Sequence, residues 1–395
     1  MHLISEVYQI CTRKKEKMYV TRPLSQLLKS PEIVAAAPDG PNSGFLVIQD
    51  EESLRYSFFG VFKNHSLKQL PFPQDKELII QYTTSNGDST DVSNDPVFLI
   101  PALNCPLSSN RYYAVVPHRK RIGEAFTCSR EEDKVSCCFC RCVKDVQSTP
   151  LDPRNVYQQF QIVPYNAFWS SDGHFVANSV TSDGFPPSFL RQKGWTVDTK
   201  TPHTFKLETA RGLDHGLRAR LPELDSSSVV GKWYTPFVFV KDGSLRDQVK
   251  RSMYYEVILE QRWEKIYEVD RDHNKGNSVV IDAAVEREEV FVGGSKATWS
   301  TSGGVVWFKA GGGGGVGLRV ELVERMKWEE ERGGWVGGEG RQVKIHKVEK
   351  LEGGGDWNEF GCYVLVETFN LKRMDGSLMI SYHFKHCHKL KTKWQ

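Results

Sequence analysis

The sequence predicts a mainly β fold, a β-rich α+β chain with few short helices. It is read as an antiparallel N-terminal sheet domain followed by an elongated antiparallel C-terminal sheet or sandwich. Three observations predict this. Short apolar or aromatic runs bounded by Asn, Asp, Gly and Pro succeed one another after Gly44. The stretch "YYEVILEQRWEKIYEV" alternates with a period of two, which is the signature of a long half-buried strand. Glycine concentrates between Gly293 and Gly376, as expected for wide loops joining such strands.

The elements follow in order. Residues 1–17 are short and basic and read as having helical character. "RPLSQLLKSPE" (Arg22–Glu32) reads as one short helix between prolines, and "APDGPNSG" as turn chemistry. "GFLVIQD", "YSFFGVF", "KELIIQYTT", "DPVFLIP" and "RYYAVVP" read as antiparallel strands, completing an N-terminal β domain over 18–165. From about residue 144 to 230 the pattern dissolves into turn signals. A connecting region with little regular structure is expected over 166–230, and a C-terminal β domain over 231–395.

Within that last part, "NSVVIDAAVEREEVFV" reads as the hairpin partner of the long alternating strand. Asp375-Gly376 and Asp242-Gly243 both read as hairpin turns. "GLRVELVERMKWEEER" is ambiguous. Leu318, Val320, Leu322, Met326 and Trp328 share parity, which favours a strand, whereas the Glu, Arg, Lys and Met content favours a helix; strand is the reading adopted.

Composition excludes several classes. The chain has 395 residues, 39% hydrophobic and 26% charged, enough to bury a core. A net charge of +3 is too small an excess for a nucleic-acid partner. No run of about 18 apolar residues is present, so no transmembrane segment is expected; membrane-surface contact has no support. The N-terminus shows no secretory signal pattern, so a cytoplasmic location, or the nucleus, is expected, with the nine cysteines as thiols.

Two clusters could carry chemistry. "CCFCRC" places Cys137, Cys138, Cys140 and Cys142 within six residues. A zinc site would need a bend and further ligands that no second block supplies, and nothing nearby clearly lowers a thiol pKa. A cysteine-rich strand is the plainer reading. In "YHFKHCHK", His386 and His388 share a face of a straight strand and could take a metal with a third ligand. "GGGGGVG" satisfies a dinucleotide pattern only trivially, and phosphate-loop, zinc-protease and nucleophile-elbow motifs are missing. No cofactor and no catalytic residue is therefore expected.

Several long motifs carry a resemblance. "MYVTRPLS", "GPNSGFLVIQDEE", "LPFPQ", "PLSSNRYYAV", "CCFCRCVKDV", "DGFPPSFLRQKGW", "VVGKWYTPFVFVKDG" and "FGCYVLVETFNLKRMDGSL" resemble the plant family called domain of unknown function 1262, from Met18 to the C-terminus. The resemblance implies that residues 1–17 are an extension and that the setting is stress or defence. It implies no activity, because the family has none assigned. The expectation is a non-enzymatic interaction protein with a protein partner. Two alternatives are an aerolysin-like membrane-active β protein, through "GGSKATWSTSGGVVWFKAGGGGG", and a thiol or metal sensor built on Cys137–Cys142.

Overall fold

In the computed structural model, all residues are described except 1–17, 58–61, 88, 119, 138–139, 166–172, 201–205, 274–275, 312–314, 339 and 354–355. The helical character expected of residues 1–17 lies outside the described residues. The chain is mainly β, with large antiparallel sheets. It divides into two compact units, one of Met1–Ala210 with Tyr234–Tyr255, the other of Arg211–Trp233 with Glu256–Gln395.

The first unit opens with strand β1 (Met18–Pro23), helices α1 (Leu24–Lys29) and α2 (Pro31–Ala35), and strand β2 (Ser43–Ile48). The expected single helix is thus two, broken where Pro31 takes the first position of α2, which suits a residue without an N–H. β1 and β2 pair in parallel, a crossover the antiparallel reading did not include. Gly44 is required there, because a Cβ at that position would lie 2.3 Å from the ring of Tyr19. Antiparallel pairing holds for β3 (Glu77–Asn86), β4 (Ser89–Pro101) and β5 (Arg111–Val115). Their inner faces join Phe72, Phe160 and Trp195 in the main core. The connecting region is more regular than its sequence suggested. Gln159–Pro164 and Phe175–Ser179 pair antiparallel, and Thr196–Lys200 pairs with β3. Asp242-Gly243 leads into a helix, Leu245–Arg251, and not into a second strand. Ser244 Oγ caps it by accepting from Asp247 N–H at 3.2 Å.

In the second unit, helix α3 (His215–Ala219) precedes strand β6 (Tyr254–Asp270). β6 matches the alternation that predicted it. Then come β7 (Ser278–Glu286), β8 (Glu288–Val292), β9 (Ser295–Ser302), β10 (Val305–Ala310), β11 (Gly315–Arg319), helix α4 (Val320–Arg332), β12 (Gln342–Lys350), β13 (Glu359–Arg373) and β14 (Leu378–Trp394). The sheet runs β11-β10-β9-β8-β14-β13-β6. The hairpin predicted at Asp375-Gly376 is β13–β14.

Two readings are corrected here. β7 pairs with β12 and not with β6. β6 already has β13 beside it, and β7 is needed as a cover: Val279, Ile281 and Val285 close over Trp357, Phe360 and Cys362. Residues 320–332 are helical, not a strand. Leu322, Val323 and Met326 make the buried stripe, and Arg325 and Glu329 form a buried pair at 2.8 Å four residues apart, which only a helix brings together. The parity of Leu318 was real, but it belongs to β11.

Candidate functional site

Strand β14 carries the feature that shapes the site. Its register with β13 runs Leu365↔His386 and then Val364↔Leu390, so Cys387, His388 and Lys389 have no opposite residue. Bulges of this kind re-aim side chains and recur beside functional sites. Before the bulge both faces are covered, so Phe384, Lys385 and His386 are buried in succession; on it Cys387 is half-buried and His388 is exposed. The two histidines of the H-x-H motif keep their ring centroids 6.0 Å apart but differ in exposure. His386 is completely buried, while His388 faces solvent.

Four further elements converge on His386. Glu367 comes from β13, Gln261 from β6, Glu329 and Glu330 from the last turn of α4, and Arg218 from α3. α3 is fixed at its start by Asp214, whose Oδ1 accepts from Leu217 N–H at 2.8 Å. Arg218 Nε donates to Glu367 Oε1 at 2.9 Å and Nη2 donates to Glu367 Oε2, a bidentate pair. Nη2 also lies 3.4 Å from Glu330 Oε1, and Nη1 donates to the Glu329 carbonyl at 3.0 Å. Gln261 Nε2 donates to Glu367 Oε1 at 2.7 Å and to the Arg218 carbonyl at 3.1 Å. His386 Nε2 stands 2.9 Å from Glu367 Oε2 and 3.1 Å from Glu330 Oε2. Lys389, on the bulge, donates to the Gly333 carbonyl at 2.9 Å just past α4.

Electrostatics assigns distinct states to these groups. Burial, with Glu367 beside it, pushes Glu330 well above the ordinary carboxyl range. Burial would push Glu367 the same way, but hydrogen bonds from His386 and Arg218 hold it well below. Burial pushes His386 down, with Glu367 partly opposing. Burial acts against charge on Arg218 too, but Glu367 and Glu330 outweigh it and raise its pKa. The arrangement is an ionised Arg218–Glu367 pair, a protonated Glu330 and a neutral His386, which balance in charge. Two carboxyls this close cannot both ionise without a compensating proton or cation.

Ligand atoms of Glu330, Glu367 and His386 lie within 4.8 Å of one another, so a metal has to be considered. Two features speak against it. The Arg218 guanidinium already sits on both carboxyls, as the cation that a metal would replace. A metal on Nε2 would also force the proton of His386 onto Nδ1, which is buried with no acceptor among the described residues, whereas ligating histidines normally donate that second N–H. The donor set fits a proton-sharing ion network better than a metal.

The cysteine cluster is built differently from the single strand expected of it. Lys134–Cys137 and Cys140–Val143 form a hairpin with Cys137 opposite Cys140 and Val135 opposite Cys142; Cys138 lies outside the described residues. The thiol of Cys142 is free of disulfide and half-buried. Among the described residues His388 is not part of the ligand group of Glu330, Glu367 and His386.

The model of the family described as "Protein of unknown function (DUF1262)" matches residues 39–139. The resemblance drawn from the chain's motifs is borne out over that span, which ends before the Arg218 cluster begins in sequence. No curated protein matches the chain. A solved structure titled "Crystal structure of Cry35Ab1" aligns at 12% identity and a TM-score of 0.43, covering 82% of this chain and 90% of that one. So loose a match leaves the function to be read from the chain's own geometry.

Sequence reasoning missed Arg218, Glu330 and Glu367. One signal was present. Glu367 is the single acid within the apolar run "YVLVETF", where an ionisable group has to be paired.

Proposed function

We propose that this protein is a non-enzymatic interaction protein, acting in stress or defence, and that the outward face of the β7–β12 ribbon is its contact surface. The observation that carries this reading is a cross-strand apolar pair on that face. Val280 lies opposite Val348, and the two are 49% and 51% exposed. A paired, exposed β-branched contact differs from scattered surface hydrophobics, because a partner can cover both at once. The saturation of Glu367 supports the non-enzymatic half of the reading: its oxygens take donors from Arg218, Gln261 and His386. The test is affinity capture from plant tissue with the native chain and with Val280→Asp/Val348→Asp. A partner retained by the native chain and lost with the variant is the expected result; identical captures would refute the surface.

A second reading rests on the β9–β10 hairpin. Lys296, Thr298, Ser300 and Ser302 face outward, while Ala297 and Phe308 are buried, an amphipathic pattern suited to a membrane-active segment. Its strands have 8 and 6 residues, short of the roughly 9–11 that a spanning strand needs. Dye release from anionic liposomes at micromolar protein would support this reading, and its absence would remove it.

A further inference from the structure

The same ribbon carries more than the valine pair, and this inference rests on the interaction reading above. Its outward face pairs Ser278 with Lys350, Val280 with Val348, Asp282 with His346, Ala284 with Lys344 and Glu286 with Gln342. Among the described residues β7 and β12 pair only with each other, so β12 is an edge strand. Every outward residue of β12 is exposed: Gln342, Lys344, His346, Val348 and Lys350. Lys344 reaches Asp282 at 3.2 Å, whereas His346 and Lys350 have no ion-pair partner among the described residues.

An edge strand presents a row of backbone donors and acceptors, and lysine on such an edge deters pairing with like edges. That deterrent is selective. A second copy docking β12 against β12 about a two-fold axis through His346 would set imidazole against imidazole and Gln342 against Lys350. Lys344 would then meet Val348, with four lysines crowded onto one face. An extended acidic segment meets no such repulsion. At successive positions on the outward face of such a segment, carboxylates would lie opposite Lys344 and Lys350, and an apolar residue between them would lie against Val348.

We propose that the β12 edge binds an acidic, extended segment of a partner protein by strand addition, with backbone hydrogen bonds giving affinity and the lysine–valine–lysine face giving selectivity. The probe is a synthetic ten-residue peptide whose same-face positions carry Glu, Thr, Val and Glu, to lie opposite Lys344, His346, Val348 and Lys350, with Thr between them; its counterpart with Lys for Glu is the control, and both are titrated against the full chain by fluorescence anisotropy at two salt concentrations. The Glu peptide should bind more tightly, weaken as salt screens the pairs, and lose roughly tenfold or more against Lys344→Glu/Lys350→Glu. Both lysines are exposed, and the neutral Lys344→Gln/Lys350→Gln variant, expected to fall between, covers a folding failure of the first. Equal binding of the two peptides, binding unchanged in the variants, or binding of neither peptide overturns the proposal. Capture lost in Val280→Asp/Val348→Asp would in that case leave the interaction reading standing without the acidic partner.

Discussion

At the scale of single residues, the buried cluster makes two glutamates of the same type unequal. Glu367 is the counter-charge of Arg218, while Glu330 is the carboxyl that keeps its proton. Their amide variants should therefore diverge. Glu330→Gln replaces a neutral group by a neutral group of the same shape and is expected to change stability by less than about 1 kcal/mol. Glu367→Gln leaves Arg218 charged and buried without its bidentate partner, and a loss of about 3–5 kcal/mol is expected. Urea unfolding of the full chain at pH 7 checks the contrast, and similar losses for the two would disprove the assignment. Part of this was legible in the sequence. An acid inside "YVLVETF" announces a buried charge, but its partner is 149 residues away, and no local pattern points to Arg218. The histidine motif suggested a metal ligand, but it did not show that the fold gives His386 two carboxyls and a guanidinium beside them.

At the scale of elements, alternation was readable wherever a strand ran straight. β6 and the β13–β14 hairpin appear where a period of two and Asp375-Gly376 place them. Alternation misled where it was short or broken. Five apolar residues of one parity spanned the end of β11 and most of α4, because a strand and a helix can share parity over a few residues. Pairing was the less legible layer. Which strand β7 adopts depends on where a cover is needed over Trp357 and Phe360, and that is a property of the folded core. The β14 bulge was invisible too, since Cys387, His388 and Lys389 continue the local pattern. It makes a sharp prediction. In a straight strand His386 and His388 would be equivalent, and alanine at either would cost about the same. With the bulge, His388→Ala should lie within about 0.5 kcal/mol of the parent, as for most surface changes, and His386→Ala should cost about 2 kcal/mol or more. Equal costs in thermal or urea unfolding would mean that the bulge is absent in solution.

At the scale of the whole molecule, the two units carry buried titratable groups of opposite sense, and acid should act on them in opposite directions. In the first unit Asp75 is buried and its Oδ1 accepts from Gln49 N–H at 2.9 Å. Burial pushes it from 3.8 to about 6. An acid raised on folding is best tolerated while protonated, so Asp75 subtracts stability as pH climbs from about 4 to 6 and by a constant amount above that. In the second unit burial, helped by the nearby Arg262, pushes His383 from 6.5 down to about 4. A base lowered on folding does no harm while neutral. It subtracts stability as pH falls below 6.5, until it charges near 4. The neutral variants separate the two. Asp75→Asn keeps the acceptor for Gln49 and should match the parent below pH 4, then gain up to on the order of 2–3 kcal/mol above pH 6. His383→Gln should show no pH-dependent gain above pH 6.5 and a growing one towards pH 4. The measurement is the difference in unfolding free energy between each variant and the parent at half-unit steps from pH 4 to 8. Because Asp75 and His383 share no partner among the described residues, the double variant should give the sum of the two difference curves within about 0.5 kcal/mol. A curve for Asp75→Asn that rises towards acid would mean that its carboxyl is ionised and paired in the fold, and that the burial assigned to it is wrong.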